Sequence, residues 1–117
     1  MENNVEAKLK TIYQAIDQVK GEAMVTYDFR LHSPFLDYVV IVSANNMRKT
    51  QALADNIMDK CREQGYAVRK EGNHESRWIL IDAEDIVVHI FLDEERDVYR
   101  LERLYSDIEH WEGDHDL

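Results

Sequence analysis

The sequence has few of the residues that interrupt or cross-link a chain. Its 117 residues include one cysteine, Cys61, one proline, Pro34, and four isolated glycines. A single cysteine excludes an internal disulfide, which fits a reducing compartment, and we therefore expect a cytoplasmic protein. Isolated glycines exclude the Gly-rich loops that bind nucleotide phosphates. Because no repeat or low-complexity linker divides the chain, its length predicts a single domain.

Long apolar runs are also missing. No stretch approaches the roughly 20 apolar residues that a membrane-spanning helix needs. The N-terminal segment MENNVEAKLK lacks the apolar region of a secretory signal, so we expect neither a signal nor a membrane partner. Hydrophobic residues nevertheless make up 44% of the sequence, which is enough to build a core.

Basic residues are scarce in the last third of the chain. The formal net charge is −10, and residues 1–81 contain 11 basic and 11 acidic side chains, which cancel. Residues 82–117 contain 3 basic and 13 acidic side chains, so they carry the entire excess. Because nucleic-acid binding depends on Lys and Arg near phosphates, this region disfavours direct binding of RNA or DNA. Two interpretations stand: a partner with a basic surface, or an acidic face that only improves solubility.

Apolar spacing predicts a first helix over residues 4–20 that ends at Gly21. Two strands follow, AMVTYDFRL and LDYVVIVSA, and the continuous apolar run of the second indicates burial on both faces. A second helix, capped by Asn45 or Asn46 and ending near Gly65, leads to the strand YAVRKE. This strand, helix and strand predict a parallel crossover unit.

The rest of the chain predicts a hairpin and a last helix. The hairpin strands are WILI and IVVHIFL, and DEERDVYRLERLY reads as a helix capped by Asp93. Its core-facing residues are expected to be Val98, Leu101, and Leu104 or Tyr105. We thus expect a single α/β domain over residues 1–107, with a mixed sheet of about five strands, helices packed on it and the order α-β-β-α-β-β-β-α. Residues 108–117 are expected to form an acidic, flexible tail, with Trp111 as its one anchor.

The stretch RWILIDAEDIVVHIF sets three carboxylates and a histidine among apolar residues. With Asp82 to Asp85 as the turn, Trp78 lies opposite His89, and side chains alternate between two faces. One face is wholly aliphatic and expected in the core, with Ile79, Ile81, Ile86, Val88 and Ile90. The other face carries Trp78, Leu80, Val87 and His89, and its rim carries Asp82, Glu84 and Asp85.

The residues alone leave two interpretations of this second face. Trp is frequent at interface hot spots, and an apolar patch edged by acid suits a surface flanked by Lys or Arg. Alternatively, a helix covers the face, and Trp78 and His89 are core residues. A shared metal site is disfavoured, because a rise of about 3.3 Å per residue puts His89 roughly 13 Å from Asp85. We expect no catalytic residue, metal or cofactor here, and a core thiol at Cys61.

Two long blocks of the sequence resemble the ribosomal silencing factor family, also called Iojap-like proteins. One is WILIDAEDIVVHIF with the Arg96, Tyr99, Glu102, Leu104 and Asp107 that follow it; the other is LDYVVIVSANNMRKTQALADNI. The resemblance covers residues 4–107. It implies a nucleotidyltransferase-like fold without the catalytic carboxylates, and a translation repressor rather than an enzyme.

The resemblance also implies a partner. The family binds the large ribosomal subunit through the ribosomal protein conventionally numbered fourteen, and sterically blocks association with the small subunit when nutrients are short. Members are often homodimers when free of the ribosome, and a minor contact with ribosomal RNA is compatible with this position. The matching residues expected to bind the partner are Trp78, Leu80, Asp82, Asp85, Val87 and His89, with Glu84 beside them. Arg48 and Asp37 also match, and structural roles explain them equally well.

Glu84 departs from the family pattern, which usually has Gly at this position. A residue with a side chain costs on the order of 1 kcal/mol at positive φ, so the turn has either another geometry or mild strain.

Two alternatives to ribosome binding remain. A small nucleotidyltransferase-like enzyme needs Gly-Ser beside an Asp-x-Asp pair, whereas the chain reads SANNM. A bare homodimerisation module would bury the Trp78 face in self-association.

Overall fold

A computed structural model describes residues 4–114 of the chain. In chain order the elements are α1 (Asn4–Val19), β1 (Glu22–Asp28), β2 (Tyr38–Ala44), α2 (Met47–Glu63), β3 (Arg69–Glu71), β4 (Trp78–Asp82), β5 (Ile86–Leu92), α3 (Asp93–Tyr99), α4 (Leu101–Leu104) and β6 (His110–Glu112). The strands form one sheet in the order β3-β4-β5-β2-β1-β6. Strands β2 and β5 are parallel and the other neighbours antiparallel. The predicted single α/β domain with a mixed sheet is confirmed, with six strands instead of about five.

The two long helices cover one face of the sheet. Their apolar sides are fully buried against its aliphatic residues, with Leu9 and Ile12 from α1 and Leu53 and Ile57 from α2. The predicted apolar stripe of α1 therefore lies in the core. Burying such a stripe against a sheet supplies most of the stability of an amphipathic helix.

Helix α2 has both of its predicted end signals. The Asn46 side chain accepts a hydrogen bond from the Lys49 amide at 2.8 Å, which satisfies one of the free N–H groups of the first turn. At the other end Gly65 has φ 84, and the Tyr66 amide donates to the Cys61 carbonyl at 2.9 Å. This is a Schellman cap, which favours glycine because its left-handed residue has no Cβ.

Helix α1 ends at Val19, one residue earlier than predicted. Lys20 takes the left-handed conformation at φ 61, and the Gly21 amide donates to the Ile16 carbonyl at 3.0 Å. A Cβ on Gly21 would lie 2.7 Å from side-chain atoms of both Ile16 and Val42. Glycine is therefore required here for close packing of the chain on the core.

The predicted parallel crossover is only partly right. Strand β3 runs in the same direction as β2, but β4 and β5 lie between the two. It is a short edge strand that pairs antiparallel with β4, with Lys70 opposite Ile81. Strand order depends on contacts between distant residues, so the local pattern of strand, helix and strand does not reveal that β4 and β5 lie between β2 and β3.

The β4–β5 hairpin differs from its predicted register by two residues. Trp78 pairs with Phe91 and Leu80 with His89, because four residues separate the last pair, Asp82 and Val87, where the predicted turn had two. A shift of two residues leaves every side chain on its predicted face, whereas a shift of one would have reversed them. The aliphatic face is fully buried as predicted, with Ile79, Ile81, Ile86, Val88 and Ile90.

The last helix is broken into two. Arg100 takes a left-handed conformation, with φ 50 and ψ 52, between α3 and α4. After this break Leu101 and Tyr105 pack on the second face of the sheet, as predicted. The prediction that Val98 faces the core is wrong, since it is 70% exposed. Of the two alternatives given for the next position, Tyr105 packs and Leu104 is 75% exposed.

The predicted cap of this helix is also wrong. Leu92 occupies the N-cap position of α3 and makes no side-chain capping bond. Asp93 is instead the first helical residue, followed by Glu94 and Glu95. Carboxylates in a first turn still stabilise the helix, because they face the positive end of its dipole.

The predicted flexible tail contains the sixth strand. Residues 110–112 pair antiparallel with β1, and Trp111 lies opposite Thr26. Trp111 donates from Nε1 to the Tyr13 hydroxyl at 2.9 Å, and that hydroxyl shares a 2.6 Å hydrogen bond with Thr26 Oγ1. Trp111 thus anchors this segment as expected, and the anchored segment forms a strand. The indole N–H supplies a hydrogen bond to the buried pair of Tyr13 and Thr26. The end of the predicted tail, residues 115–117, lies outside the described residues.

Replacing Trp111 by Phe tests this anchor. The variant keeps an aromatic ring near Tyr38 but removes the donor to Tyr13, so we expect a loss of about 1 kcal/mol in the free energy of unfolding. Urea denaturation of Trp111→Phe, Tyr13→Phe and the double variant measures the coupling between the two groups. Strictly additive losses would contradict the direct interaction.

Candidate functional site

The second face of the sheet is only partly covered. Toward β1 and β2 it carries a second apolar cluster, formed by Val25, Tyr27, Val39, Ile41 and Phe91, against which Leu101, Tyr105 and Ile108 pack. Toward β3 and β4 the four predicted side chains Trp78, Leu80, Val87 and His89 remain partly exposed. Three of them, with Glu71 of the edge strand, line a shallow depression of about 320 Å³. The predicted second face is therefore open to a partner, and no described helix closes over it.

Trp78 is held firmly at the centre of this open area. Its Nε1–H donates to His89 Nδ1 at 3.0 Å. Its ring stacks on Phe91, with centroids 4.9 Å apart, and touches Tyr99 at 4.6 Å. Aromatic contacts at these separations are favourable, so the indole has one preferred orientation. A surface that is already ordered loses little side-chain entropy when a partner binds.

Tyr99 belongs to the same surface and was not among the predicted site residues. It is 51% exposed and lies against both Trp78 and Phe91. It reaches this position because α3 ends there and the chain turns at Arg100. In the sequence, only its position in the block that resembles the family indicates Tyr99. The expected continuous helix gave no reason to place it beside Trp78. We call Trp78, Leu80, Val87, His89 and Tyr99 the docking face.

The three predicted carboxylates do not act as one group. Asp82 forms an exposed ion pair with Arg69 at 3.2 Å, at the rim of the docking face. Asp85 instead pairs with Lys8 of α1 at 2.7 Å, and Lys8 also donates to the Ala83 carbonyl at 2.8 Å. Because Lys8 is only 6% exposed, this pair ties the hairpin turn to α1. We therefore assign Asp85 a structural role rather than the predicted contact with a partner.

Glu84 lies in the strained conformation that the family's glycine would adopt freely. Its φ is 70, and its amide donates to Asp82 Oδ1 at 2.9 Å. The turn therefore has left-handed geometry at a residue that carries a side chain. Glu84 is exposed and has no ion pair among the described residues, so its charge is free to face a partner.

Replacing Glu84 by Gly should relieve this strain. We expect the free energy of unfolding to rise by about 0.5–1 kcal/mol, because glycine adopts positive φ without a Cβ penalty. Chemical denaturation measures the change. Glu84→Ala is the control: it removes the charge but keeps the Cβ, so its stability should stay close to that of the unsubstituted chain. Equal stabilisation by both substitutions would attribute the effect to charge rather than to backbone strain.

The other side chains that could take part in chemistry have structural roles. Cys61 is buried in α2, and burial raises the pKa of its thiol to about 11, so it is an unreactive core residue. Near the end of β2, the Ser43 hydroxyl donates to the Glu22 carbonyl and accepts from Arg96. Within residues 4–114, no cluster of three or more His, Cys, Asp or Glu could hold a metal ion. No helix in the described part of the chain has the length and apolar character needed to cross a membrane.

His89 is a neutral imidazole at ordinary pH. Burial lowers its pKa to about 4, from an ordinary value near 6.5. Its Nδ1 accepts the indole hydrogen bond, so the ring proton must be on Nε2. The acidic residue that lines the same depression is Glu71 of β3, which β4 separates from the strand of His89.

Stability should therefore depend on pH through His89. Between about pH 6.5 and about 4 the unfolded chain binds a proton that the folded chain excludes, so acidification lowers the free energy of unfolding. The full loss is up to about 3 kcal/mol for a shift of this size. Urea titrations across this range, compared with His89→Asn, isolate the effect, because Asn can accept the indole bond but does not titrate. Equal pH slopes for the two proteins would refute it.

Comparison with known proteins identifies the family of this chain. The family model described as ribosomal silencing factor during starvation matches residues 2–116. The ribosomal silencing factor RsfS of Bacillus subtilis is 38% identical over 105 residues, which is 89% of each chain. A crystal structure of a Chromobacterium violaceum protein has a TM-score of 0.82 and 28% identity, and covers 100% of this chain and 92% of that one.

A more distant relative is the mouse protein named mitochondrial assembly of ribosomal large subunit protein 1. It is 32% identical over 77 residues, which is 62% of this chain and 33% of the mouse protein. The family model and the Bacillus subtilis relative are both described as ribosomal silencing factors, which are a class of regulatory factors. The chain belongs to the ribosomal silencing factor family, so its function is ribosome silencing, and the resemblance seen in its sequence is confirmed.

Proposed function

We propose that this protein silences cytoplasmic ribosomes by binding the large subunit and sterically blocking association with the small subunit. Its membership of the silencing factor family supports the silencing role. The name of the mouse relative refers to the large ribosomal subunit, which favours that subunit as the target. We propose ribosomal protein fourteen as the direct contact, as the sequence resemblance implies.

The observation that carries this proposal is the preorganised docking face. Trp78 is fixed by Phe91, Tyr99 and His89 and yet remains partly exposed. Hot spots of protein interfaces combine a rigid aromatic anchor with surrounding groups that exclude water. Leu80 and Val87 provide apolar surroundings on the same sheet face. A side chain needed only for folding would gain more by complete burial than by this half-exposed position.

The charges around the docking face favour a basic partner. Glu71 and Glu84 are exposed and have no ion pair among the described residues, while Asp82 is shared with Arg69. The whole chain carries a net charge of −10. Such a field speeds association with a positively charged protein and opposes the approach of bare RNA. Any contact with ribosomal RNA is therefore expected to be minor.

Steric exclusion suits the shape of the molecule. The described residues form a compact body of 41 × 34 × 23 Å. Two ribosomal subunits meet over closely matched surfaces, so an obstacle of this thickness on one of them would keep the bridging contacts apart. No catalytic step is needed for this mechanism, and saturating occupancy would be sufficient.

Free protein is proposed to form a homodimer through the same face. Burying Trp78 and Tyr99 against a second copy would remove an exposed aromatic surface from water. A dimer of this kind must dissociate before it binds the ribosome, because one surface cannot serve both contacts at once. Light scattering with and without ribosomal protein fourteen would show whether complex formation separates the dimer.

Substitutions on the docking face test the proposal. Trp78→Ala removes the anchor and should weaken binding to purified large subunits by roughly 30-fold or more. Tyr99→Ala should weaken it by a smaller factor, and both variants should fail to prevent subunit joining at concentrations where the unsubstituted protein succeeds. Co-sedimentation measures binding, and sucrose-gradient profiles measure joining.

Charge reversal supplies the matched control. Asp82→Lys places a positive charge at the rim and should weaken binding. Asp59→Lys makes the same change at an exposed position of α2, across the sheet from the docking face, and should leave binding unchanged. Circular dichroism confirms that each variant is folded. The proposal fails if the unsubstituted protein does not migrate with the large subunit, or if both docking-face alanine variants bind with full affinity.

A further inference from the structure

The hydrogen bond between Trp78 and His89 fixes more than the position of the indole. An indole nitrogen can only donate, so the nitrogen that receives it, Nδ1, must be without a proton. The imidazole is neutral, so its single proton lies on Nε2, on the far edge of the ring. The structure thus presents one tautomer of His89, with a defined N–H donor.

This donor has no partner within residues 4–114. No described residue accepts a hydrogen bond from His89 Nε2, although His89 lines the depression together with Trp78 and Leu80. In the free protein, water can satisfy the group. When a partner covers the docking face, that water is displaced, and a buried N–H without an acceptor would weaken the complex.

We propose that the partner places a neutral carbonyl oxygen, from its main chain, against His89 Nε2. This inference rests on the proposed function, because it concerns the chemistry of the surface that binds the docking face. His89 then acts as a specificity-determining residue: it rejects a partner that offers only apolar atoms or a second donor at this point. The apolar contacts of Trp78 provide affinity, and the hydrogen bond from His89 fixes the position of the partner on the docking face.

The surrounding charges select a neutral acceptor over an anion. Glu71 lines the same depression, and it pairs across the strands with Leu80, which itself lies opposite His89. Asp82 lies further along the same face of β4. A carboxylate or phosphate brought to His89 would meet this negative field in a partly dehydrated site, which is unfavourable. A main-chain carbonyl accepts the same hydrogen bond without that repulsion.

Two amide substitutions test the hydrogen bonds of the two imidazole nitrogens separately. The short side chain of Asn occupies the Nδ1 edge, so His89→Asn can keep the bond to Trp78 and loses the outward donor. The longer side chain of Gln reaches the Nε2 edge, so His89→Gln keeps the outward donor and loses the acceptor for Trp78. Binding of both variants to purified large ribosomal subunits is compared with that of the unsubstituted protein by co-sedimentation.

We expect His89→Asn to bind roughly tenfold more weakly, and His89→Gln to stay within about threefold of the unsubstituted protein. Full affinity of His89→Asn would overturn the proposal, and so would equal losses in both variants, because His89 would then act through packing alone. If the unsubstituted protein itself does not bind large subunits, the proposed function fails, and this inference fails with it.

Two further measurements complete the test. Imidazole nitrogen NMR on the free protein should show a proton on Nε2 and none on Nδ1, and the opposite tautomer would overturn the proposal without reference to the ribosome. Glu71→Gln removes the negative charge beside the donor and should leave binding unchanged or slightly weaker. An increase of tenfold or more would identify an anionic acceptor, a carboxylate or a phosphate, and would exclude the neutral carbonyl.

Discussion

The alternation of side chains along the β4–β5 hairpin is the constraint on which the rest of this structure depends. Because successive residues of a strand point to opposite faces, burying Ile79, Ile81 and Val88 under the helices obliges Trp78 and His89 to point away from them. The docking face is thus a geometric consequence of building the core. This also explains why a register error of two residues left the functional assignment intact.

The ends of the hairpin are held by quite different interactions. At the turn, the buried Lys8 binds both Asp85 and the Ala83 carbonyl, which ties the loop to α1. That anchor can keep Glu84 at positive φ, because leaving the conformation would disturb an ion pair largely removed from solvent. At the open end, stacking on Phe91 and Tyr99 orders Trp78. The hairpin therefore presents its aromatic face as a rigid platform.

The break at Arg100 explains why the platform stays open. A continuous helix was expected to turn Val98, Leu101, and Leu104 or Tyr105 toward the core. The left-handed residue instead turns the chain so that Leu101 and Tyr105 cover the β1–β2 side only. The uncovered half of the face is therefore a product of one local backbone conformation, and Tyr99 lies at its border because α3 stops there.

The sequence by itself determined the types of the main helices and strands, the aliphatic core face, a cap at Asn45 or Asn46, another at Gly65, and the aromatic face with its family, because these depend on local periodicity and short motifs. The tertiary structure alone decided the position of β3, the sixth strand, the break at Arg100, and the openness of the docking face. It also decided which carboxylates are free, since the Asp85 partner Lys8 lies on a different element. The position of β3, the sixth strand, the openness of the docking face and the ion pairs depend on contacts between residues far apart in the chain, whose net energies differ too little to be read from any single segment. The break at Arg100 is instead one left-handed residue within a segment that has helical spacing.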